Sequence, residues 1–264
     1  MQATLNGLDI HYEITGSGTG PWITLSHSLA CSSDMWKPQV ELLKKHFTVL
    51  CYDTRGHGRT ATTPGPYTLE QLADDAHALL RHLKIEKTHW MGLSMGGMIG
   101  QVLAIRHPEC LDKVIIADST GKAPPNGVAM WAERAETART KGMAALVEPT
   151  LGRWFTPPFH NSQPEVLKEI GALIESTSVE GYAACCAAIG LIDNLEGLKK
   201  LSHQALVIVG DQDLATPLAA SEAIHKSWAH SELVVIKDAA HLSNLEQVTA
   251  YNNCITKFLL DSRA

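Results

Sequence analysis

The 264-residue chain is 45% hydrophobic, enough for a large core and within the length at which α/β folds stay one globular body with at most one insertion. Its 22 basic and 28 acidic residues are scattered without long runs and give a net charge of −6, so neither nucleic acid nor an anionic membrane is expected as a partner. Six cysteines lack C-x-x-C spacing and two, Cys185 and Cys186, are adjacent, which suggests neither a zinc site nor a disulfide framework; reduced thiols and a cytoplasmic location are expected. Met1 leads straight into a β-like segment, so no secretory leader is expected, and no apolar run is long enough to span a bilayer.

Residues 3–5 and 8–14 flank Asn6-Gly7, a strong two-residue hairpin signal, so the chain should begin with an antiparallel pair. Residues 22–26 read as a buried strand. The small-residue loop Ser26-His27-Ser28-Leu29-Ala30 follows, then a helical pattern over 35–45. Ligands gather at the carboxyl ends of parallel strands, and this loop lies at such an end. His27 reads as a brace for it. Residues 47–52 form the next predicted strand, followed by the glycine-rich turn Asp53-Thr54-Arg55-Gly56-His57-Gly58-Arg59. Its Arg and His also read as braces, because no nucleophile stands beside them in sequence. Thr68 with Gln71 makes a capping box that opens a helix over 69–83.

The most informative stretch comes next. An apolar run over 88–93 enters Gly92-Leu93-Ser94-Met95-Gly96, and a run with helical spacing over 95–106 leaves it, placing the serine on a strand-to-helix corner. Such a corner strains the backbone and turns the hydroxyl outward, which requires almost no side chain two residues to either side. Gly92 and Gly96 meet that requirement. The Met95 amide opens the following helix with the positive end of its dipole behind it, so it is a candidate oxyanion donor, and the Leu29 N–H is the candidate second donor.

Residues 114–117 are a further buried strand, and the strand-helix alternation implies a mostly parallel central sheet with right-handed crossovers. From 121 to 201 the pattern becomes helical, with loop signals and no convincing strand. The expected organisation is a core of residues 1–120 and 202–264, with 121–201 a helical cap inserted after the sixth strand and folded over the sheet's carboxyl edge. Trp131, Arg134, Arg153, Trp154 and Phe155 are then candidates for lining a pocket. Alternation resumes with a strand over 204–209, ending at Gly210-Asp211-Gln212-Asp213-Leu214-Ala215-Thr216-Pro217, and a last strand leads to Lys237-Asp238-Ala239-Ala240-His241. Ser94, an acid and His241 thus occur in the order of a nucleophile–acid–base triad, in which the histidine takes the hydroxyl proton and the acid holds its ring. Asp118, Asp211 and Asp213 all end strands. Asp213 is preferred because it lies deeper in its loop, whereas Asp211 suits a turn.

These motifs resemble the α/β-hydrolase fold over the whole chain. More narrowly, His27-Ser28-Leu29, Gly92-Leu-Ser-Met-Gly-Gly-Met-Ile-Gly-Gln101, Arg153-Trp-Phe-Thr156, Gly181-Tyr182 with Cys186-Ala-Ala188, and Ala240-His-Leu-Ser-Asn-Leu-Glu-Gln247 resemble 3-oxoadipate enol-lactonases. The resemblance implies hydrolysis of an enol-lactone to a 3-oxo dicarboxylate in aromatic catabolism, with no cofactor and no metal. One departure bears on the substrate rather than the chemistry: Asp118-Ser119-Thr120 stands where that family commonly has an Asn-Thr segment. Such a substrate keeps one free carboxylate, for which Arg134 beside Trp131 is the first cationic candidate and Arg153 the second. The rival readings are a carboxylesterase or a lactonase for another ring, and a ligand-binding protein without turnover. The sequence leaves the number of copies in a homo-oligomer open.

Overall fold

The computed structural model describes residues 1–260. Asn6 and Gly7 both take left-handed backbone conformations, with φ of 53° and 70°. That is the geometry of a two-residue turn whose twist matches antiparallel strands, so β1 (Gln2–Leu5) folds back onto β2 (Leu8–Thr15) with Leu5 opposite Leu8. The remaining strands are mostly continuous apolar runs, as burial on both faces of a parallel sheet demands. They are β3 (Trp22–Ser26), β4 (Thr48–Tyr52), β5 (Thr88–Leu93), β6 (Leu111–Ala117), β7 (Ala205–Gly210) and β8 (Ser231–Ile236). They form an eight-stranded sheet in the order β1-β2-β4-β3-β5-β6-β7-β8, antiparallel at the first two pairings and parallel at the rest.

The helix expected over 35–45 is divided. Ser33–Trp36 forms a 3-10 turn, capped by Ser32 Oγ accepting from the Asp34 amide at 3.2 Å, and α1 (Lys37–Leu43) begins only at Lys37. Pro38 is the cause: lacking an N–H, it fits the first turn of a helix and not its interior. β6 starts earlier than its sequence suggests, because exposed Asp112 and half-exposed Lys113 interrupt the apolar run at its start. The capping signal before α2 (Leu69–His82) works as written, with Thr68 Oγ1 accepting from Gln71 N at 3.1 Å.

Right-handed crossovers and the strand order fix where the helices go. The step from β3 to β4 runs toward one edge of the sheet and puts α1 on one face. The steps from β4 to β5, from β5 to β6 and from β7 to β8 run the other way and put α2, α3 (Met95–Arg106) and α10 (Leu218–Ser227) on the opposite face. The chain diverges at β3 and β5, so their carboxyl ends flank the crevice where doubly wound sheets hold ligands. Between β6 and β7 lie α4 (Gly127–Lys141), α5 (Ala144–Trp154), α6 (Pro157–Ser162), α7 (Pro164–Ser176), α8 (Val179–Gly190) and α9 (Leu195–Leu198). An isolated bridge between Lys122 and Asp193 joins the two ends of this helical stretch. After β8 come α11 (Ser243–Glu246) and α12 (Val248–Leu260), the latter packed against α1 and β8. Among the described residues, no helix is long and apolar enough to cross a membrane.

The start of α3 is pressed against β3. A Cβ built on Gly96 would collide with the Ser26 carbonyl oxygen, and one on Gly92 would collide with the carbonyl of Gly96 itself. Gly152, on the exposed side of α5, has nothing within 4 Å of the same position. The two glycines should therefore respond oppositely to alanine. Gly152→Ala should stabilise by up to about 1 kcal/mol through helix propensity. Gly96→Ala should destabilise by about 1–3 kcal/mol or more, because backbone blocks the new methyl group. Urea unfolding of the two variants measures both signs.

Candidate active site

Ser94 sits at the corner between β5 and α3 with φ 55° and ψ −115°, a conformation rare for a residue bearing a Cβ. Its backbone is held there from both sides. The Ser94 amide donates to Ala117 O at the end of β6 (2.9 Å), and Ser119 Oγ donates to Ser94 O (2.8 Å). The side chain makes no capping bond to its own helix. Instead, Ser94 Oγ lies 2.9 Å from His241 Nε2.

His241 ends the loop after β8 and is 2% exposed. Its Nδ1 lies 2.9 Å from Asp213 Oδ2, which assigns the ring proton to Nδ1 and leaves Nε2 free to accept from the serine hydroxyl. Asp213, in the loop after β7, is held by the amides of Ala215 (2.7 Å) and Thr216 (2.9 Å) on Oδ1 and by Thr216 Oγ1 (2.7 Å) on Oδ2. Burial opposes its ionised form. The His241 ring and these hydrogen bonds outweigh burial and hold the carboxyl below the ordinary aspartate range. A serine hydroxyl in this arrangement can lose its proton to an imidazole whose positive charge the carboxylate then stabilises.

The other two acids behave differently. Asp211 Oδ1 accepts from the Ala239 amide at 3.4 Å and Oδ2 pairs with Lys237 at 3.4 Å, which ties the ends of β7 and β8 together. Asp118 is fully buried. It takes a 2.8 Å bond from Gly210 N and a 2.5 Å bond from Ser243 Oγ, linking the end of β6 to the loops that carry Asp213 and His241. Burial and the charge of Asp213 push its carboxyl well above the usual range.

The Met95 amide is the first of α3 and has no acceptor within its helix. The Leu29 amide, in the loop after β3, likewise donates to none of the described residues. His27 and the 53–59 turn brace this region. His27 Nε2 accepts from Thr54 N at 2.9 Å, and Arg55 makes two 2.7 Å bonds to the buried carboxylate of Asp75.

Ser94, His241 and Leu29 form the floor of a cavity of about 120 Å³ roofed by the helical stretch. Trp131, Arg134 and Trp154 line it, and the Trp154 ring lies 5.9 Å from that of His241. The Arg134 guanidinium rests 4.6 Å over the Trp131 ring and has no carboxylate partner among the described residues. Phe155 and Arg153 stand outside the cavity wall; Phe155 stacks on Phe159. Arg153 has a buried Nε without a hydrogen-bond partner, and burial together with the Arg134 charge lowers its pKa. Leu214 also lines the cavity while 73% exposed, so it marks the mouth.

Two contributors are not evident from sequence. Thr216 seats Asp213, and the only clue is a hydroxyl three residues after an acid, a common turn pattern. Glu246 is buried and accepts from Ala240 N (2.8 Å) and Thr156 N (3.0 Å), with a further bond from Thr156 Oγ1. It joins the histidine loop to the helical stretch. No local pattern announces a pairing across 90 residues.

A family model described as the alpha/beta hydrolase fold matches residues 21–248. The chain belongs to the α/β-hydrolase fold family. Within it, the chain is 36% identical over 252 residues to 3-oxoadipate enol-lactonase 2 of Acinetobacter baylyi, covering 96% of this chain and 93% of that protein. It superposes with a TM-score of 0.96 on the crystal structure of the enol-lactonase from Burkholderia xenovorans LB400, at 40% identity over 99% of this chain and 100% of that one. A thermophilic esterase from Thermogutta terrifontis, solved with malate bound, matches at 30% identity with a TM-score of 0.92, over 98% and 97% of the two chains.

The two buried acids of this α/β hydrolase should separate cleanly. Asp213→Asn should lower kcat on the order of ten-thousand-fold by leaving His241 in the wrong tautomer, while Asp118→Asn should retain most activity. Stability should move as well. A carboxyl raised in the folded state stabilises fully only below its unfolded pKa of about 3.9 and loses that contribution as pH rises through the folded value. Asp118→Asn should therefore gain stability relative to the parent between pH 4 and pH 7, as measured by urea midpoints.

Proposed function

We propose that this α/β hydrolase opens a small enol-lactone that carries a free carboxylate, with 3-oxoadipate enol-lactone the reference substrate and 3-oxoadipate the product. Hydrolysis of carboxylic esters and lactones is the coarser statement, and the family and its relatives support it. The observation that carries the finer reading is the Arg134 guanidinium, without a carboxylate partner among the described residues, in the roof of the cavity whose floor holds Ser94 and His241 of the Ser94–His241–Asp213 hydrogen-bond chain.

Ser94 Oγ attacks the lactone carbonyl while His241 Nε2 takes its proton. Charge on the carbonyl oxygen is met by the amides of Leu29 and Met95, with the α3 dipole behind the latter. Collapse breaks the ring C–O bond. The leaving group is an enol oxygen, a weaker base than a simple alkoxide, so His241 need return its proton only late in the step. The opened enol stays tethered to Ser94 as the acyl group, and water activated by His241 releases it as the acid. Ketonisation removes the enol oxygen that could reclose the ring, so opening becomes irreversible. We assign residues 121–201 as a cap that supplies Trp131, Arg134 and Trp154 to this substrate. Arg153 acts from behind, its charge adding to the positive potential at Arg134.

Ser94→Ala should abolish turnover, on the order of a million-fold in kcat, with the fold retained; a variant keeping a tenth of the activity would remove Ser94 from the mechanism. Arg134→Ala should lower kcat/KM for the anionic enol-lactone about ten- to a hundred-fold and change a neutral aryl ester by less than about threefold. An equal fall on both substrates would make Arg134 a structural residue of the cap. Rates for the enol-lactone beside simple esters and saturated lactones test the substrate class itself.

A further inference from the structure

The α4–α8 pair is a layer with space on both sides. One side faces the cavity of about 120 Å³ over Ser94 and His241; the other faces a surface groove of about 650 Å³ that reaches the Gly65-Pro66 segment. The two helices approach closely because small residues meet between them: a Cβ on Gly190 would lie 3.3 Å from the Val128 Cα and 3.6 Å from the Trp131 Cβ. Among the described residues, Trp131 alone lines both spaces.

The helix period accounts for that position. A helix advances about 100° per residue, so Val128, Ala132 and Ala135 share the groove face of α4, Met130 and Arg134 share the cavity face, and Trp131 falls on the border. Its indole is broad enough to close the layer there, and the Arg134 guanidinium rests 4.6 Å over its ring. From α8 the groove is lined by Ala183, Ala187 and Gly190, none long enough to take the place of the indole.

The consequence is a limit on size. A cavity of about 120 Å³ is small beside the roughly 300–1,000 Å³ of ordinary ligand pockets, and the larger space lies just beyond one side chain. We propose that Trp131 is the specificity-determining wall of the site: its indole confines the acyl part of the substrate to a compact shape, and its removal joins the cavity to the surface groove. The proposal rests on hydrolysis at Ser94 and concerns neutral bulk rather than the charge read by Arg134. Glu136 and Glu180 line the groove, and Arg139 there is already paired with Glu180 at 3.3 Å, so the joined space suits an uncharged alkyl chain and not a second carboxylate.

Neutral p-nitrophenyl esters from acetate to octanoate separate size from charge. The parent should favour acetate and butyrate. Trp131→Ala should raise the octanoate-to-acetate ratio of kcat/KM at least about tenfold, since each CH₂ that gains apolar cover is worth up to about fourfold. Trp131→Leu removes less of the core and should shift the ratio the same way by a smaller step. Ala187→Phe, which fills the groove from outside the site, should restore the parent's ratio in the Trp131→Ala background and leave the parent's own profile unchanged. A ratio that moves in neither Trp131 variant overturns the proposal, because a merely structural indole would lower all chain lengths alike. So does a shift that Ala187→Phe leaves in place, since the chain would then run out past Leu214 instead. Turnover that persists when Ser94→Ala is added would remove the catalytic reading, and the wall with it, whatever the chain-length profile.

Discussion

The structure depends on the close approach of the first turn of α3 to the ends of β3 and β5. Ser94 can hold its left-handed backbone only because Gly92 and Gly96 let two chain segments meet where any side chain would collide with a carbonyl. The amide and carbonyl of Ser94 are then both bound by the segment at the end of β6. One strained residue is thereby over-determined by three strands. The consequence is a hydroxyl facing the crevice and an adjacent helix N-terminus whose first amide has no helical acceptor.

Around that corner the sheet acts as a registration device. The loops after β3, β5, β7 and β8 each contribute one part of the site, and Asp118 at the end of β6 locks the last two loops together. Two carboxyl groups thus share one buried region, and their surroundings push them apart. Asp213 gains amide and hydroxyl donors and the imidazole, while Asp118 has fewer donors and the charge of Asp213 nearby. The same burial that raises one is overcome in the other, which is the pattern expected where one acid carries charge for chemistry and the other serves architecture.

Much of this was legible in the chain because the decisive signals are local. Asn6-Gly7, the Thr68 cap and the Gly92-to-Gly96 corner each encode a backbone geometry within a few residues. The strand-helix alternation followed from burial on both faces of a parallel sheet. What escaped was either masked or non-local. Asp112 and Lys113 hid the first turn of β6, and Pro38 divided a helix whose apolar spacing looked continuous. The choice among Asp118, Asp211 and Asp213 turned on loop depth, a three-dimensional property that the sequence only suggests. The link from Glu246 to Thr156 lay beyond any periodic reading, because it joins segments far apart in the chain.

That link has a mechanical consequence. The Leu242 amide also donates to the Trp154 carbonyl at 3.1 Å, so the end of α5 is pinned at two points to the loop that carries His241. The roof over the cavity is therefore not free to lift as one piece without dragging the imidazole out of register. Met130, Trp131 and Arg134 of α4 and Tyr182 and Ile189 of α8 line the same cavity as Leu214 at its mouth. The α5 end of the helical stretch and the loop that carries His241 are thus one mechanical unit, and a shift in either is transmitted to the other.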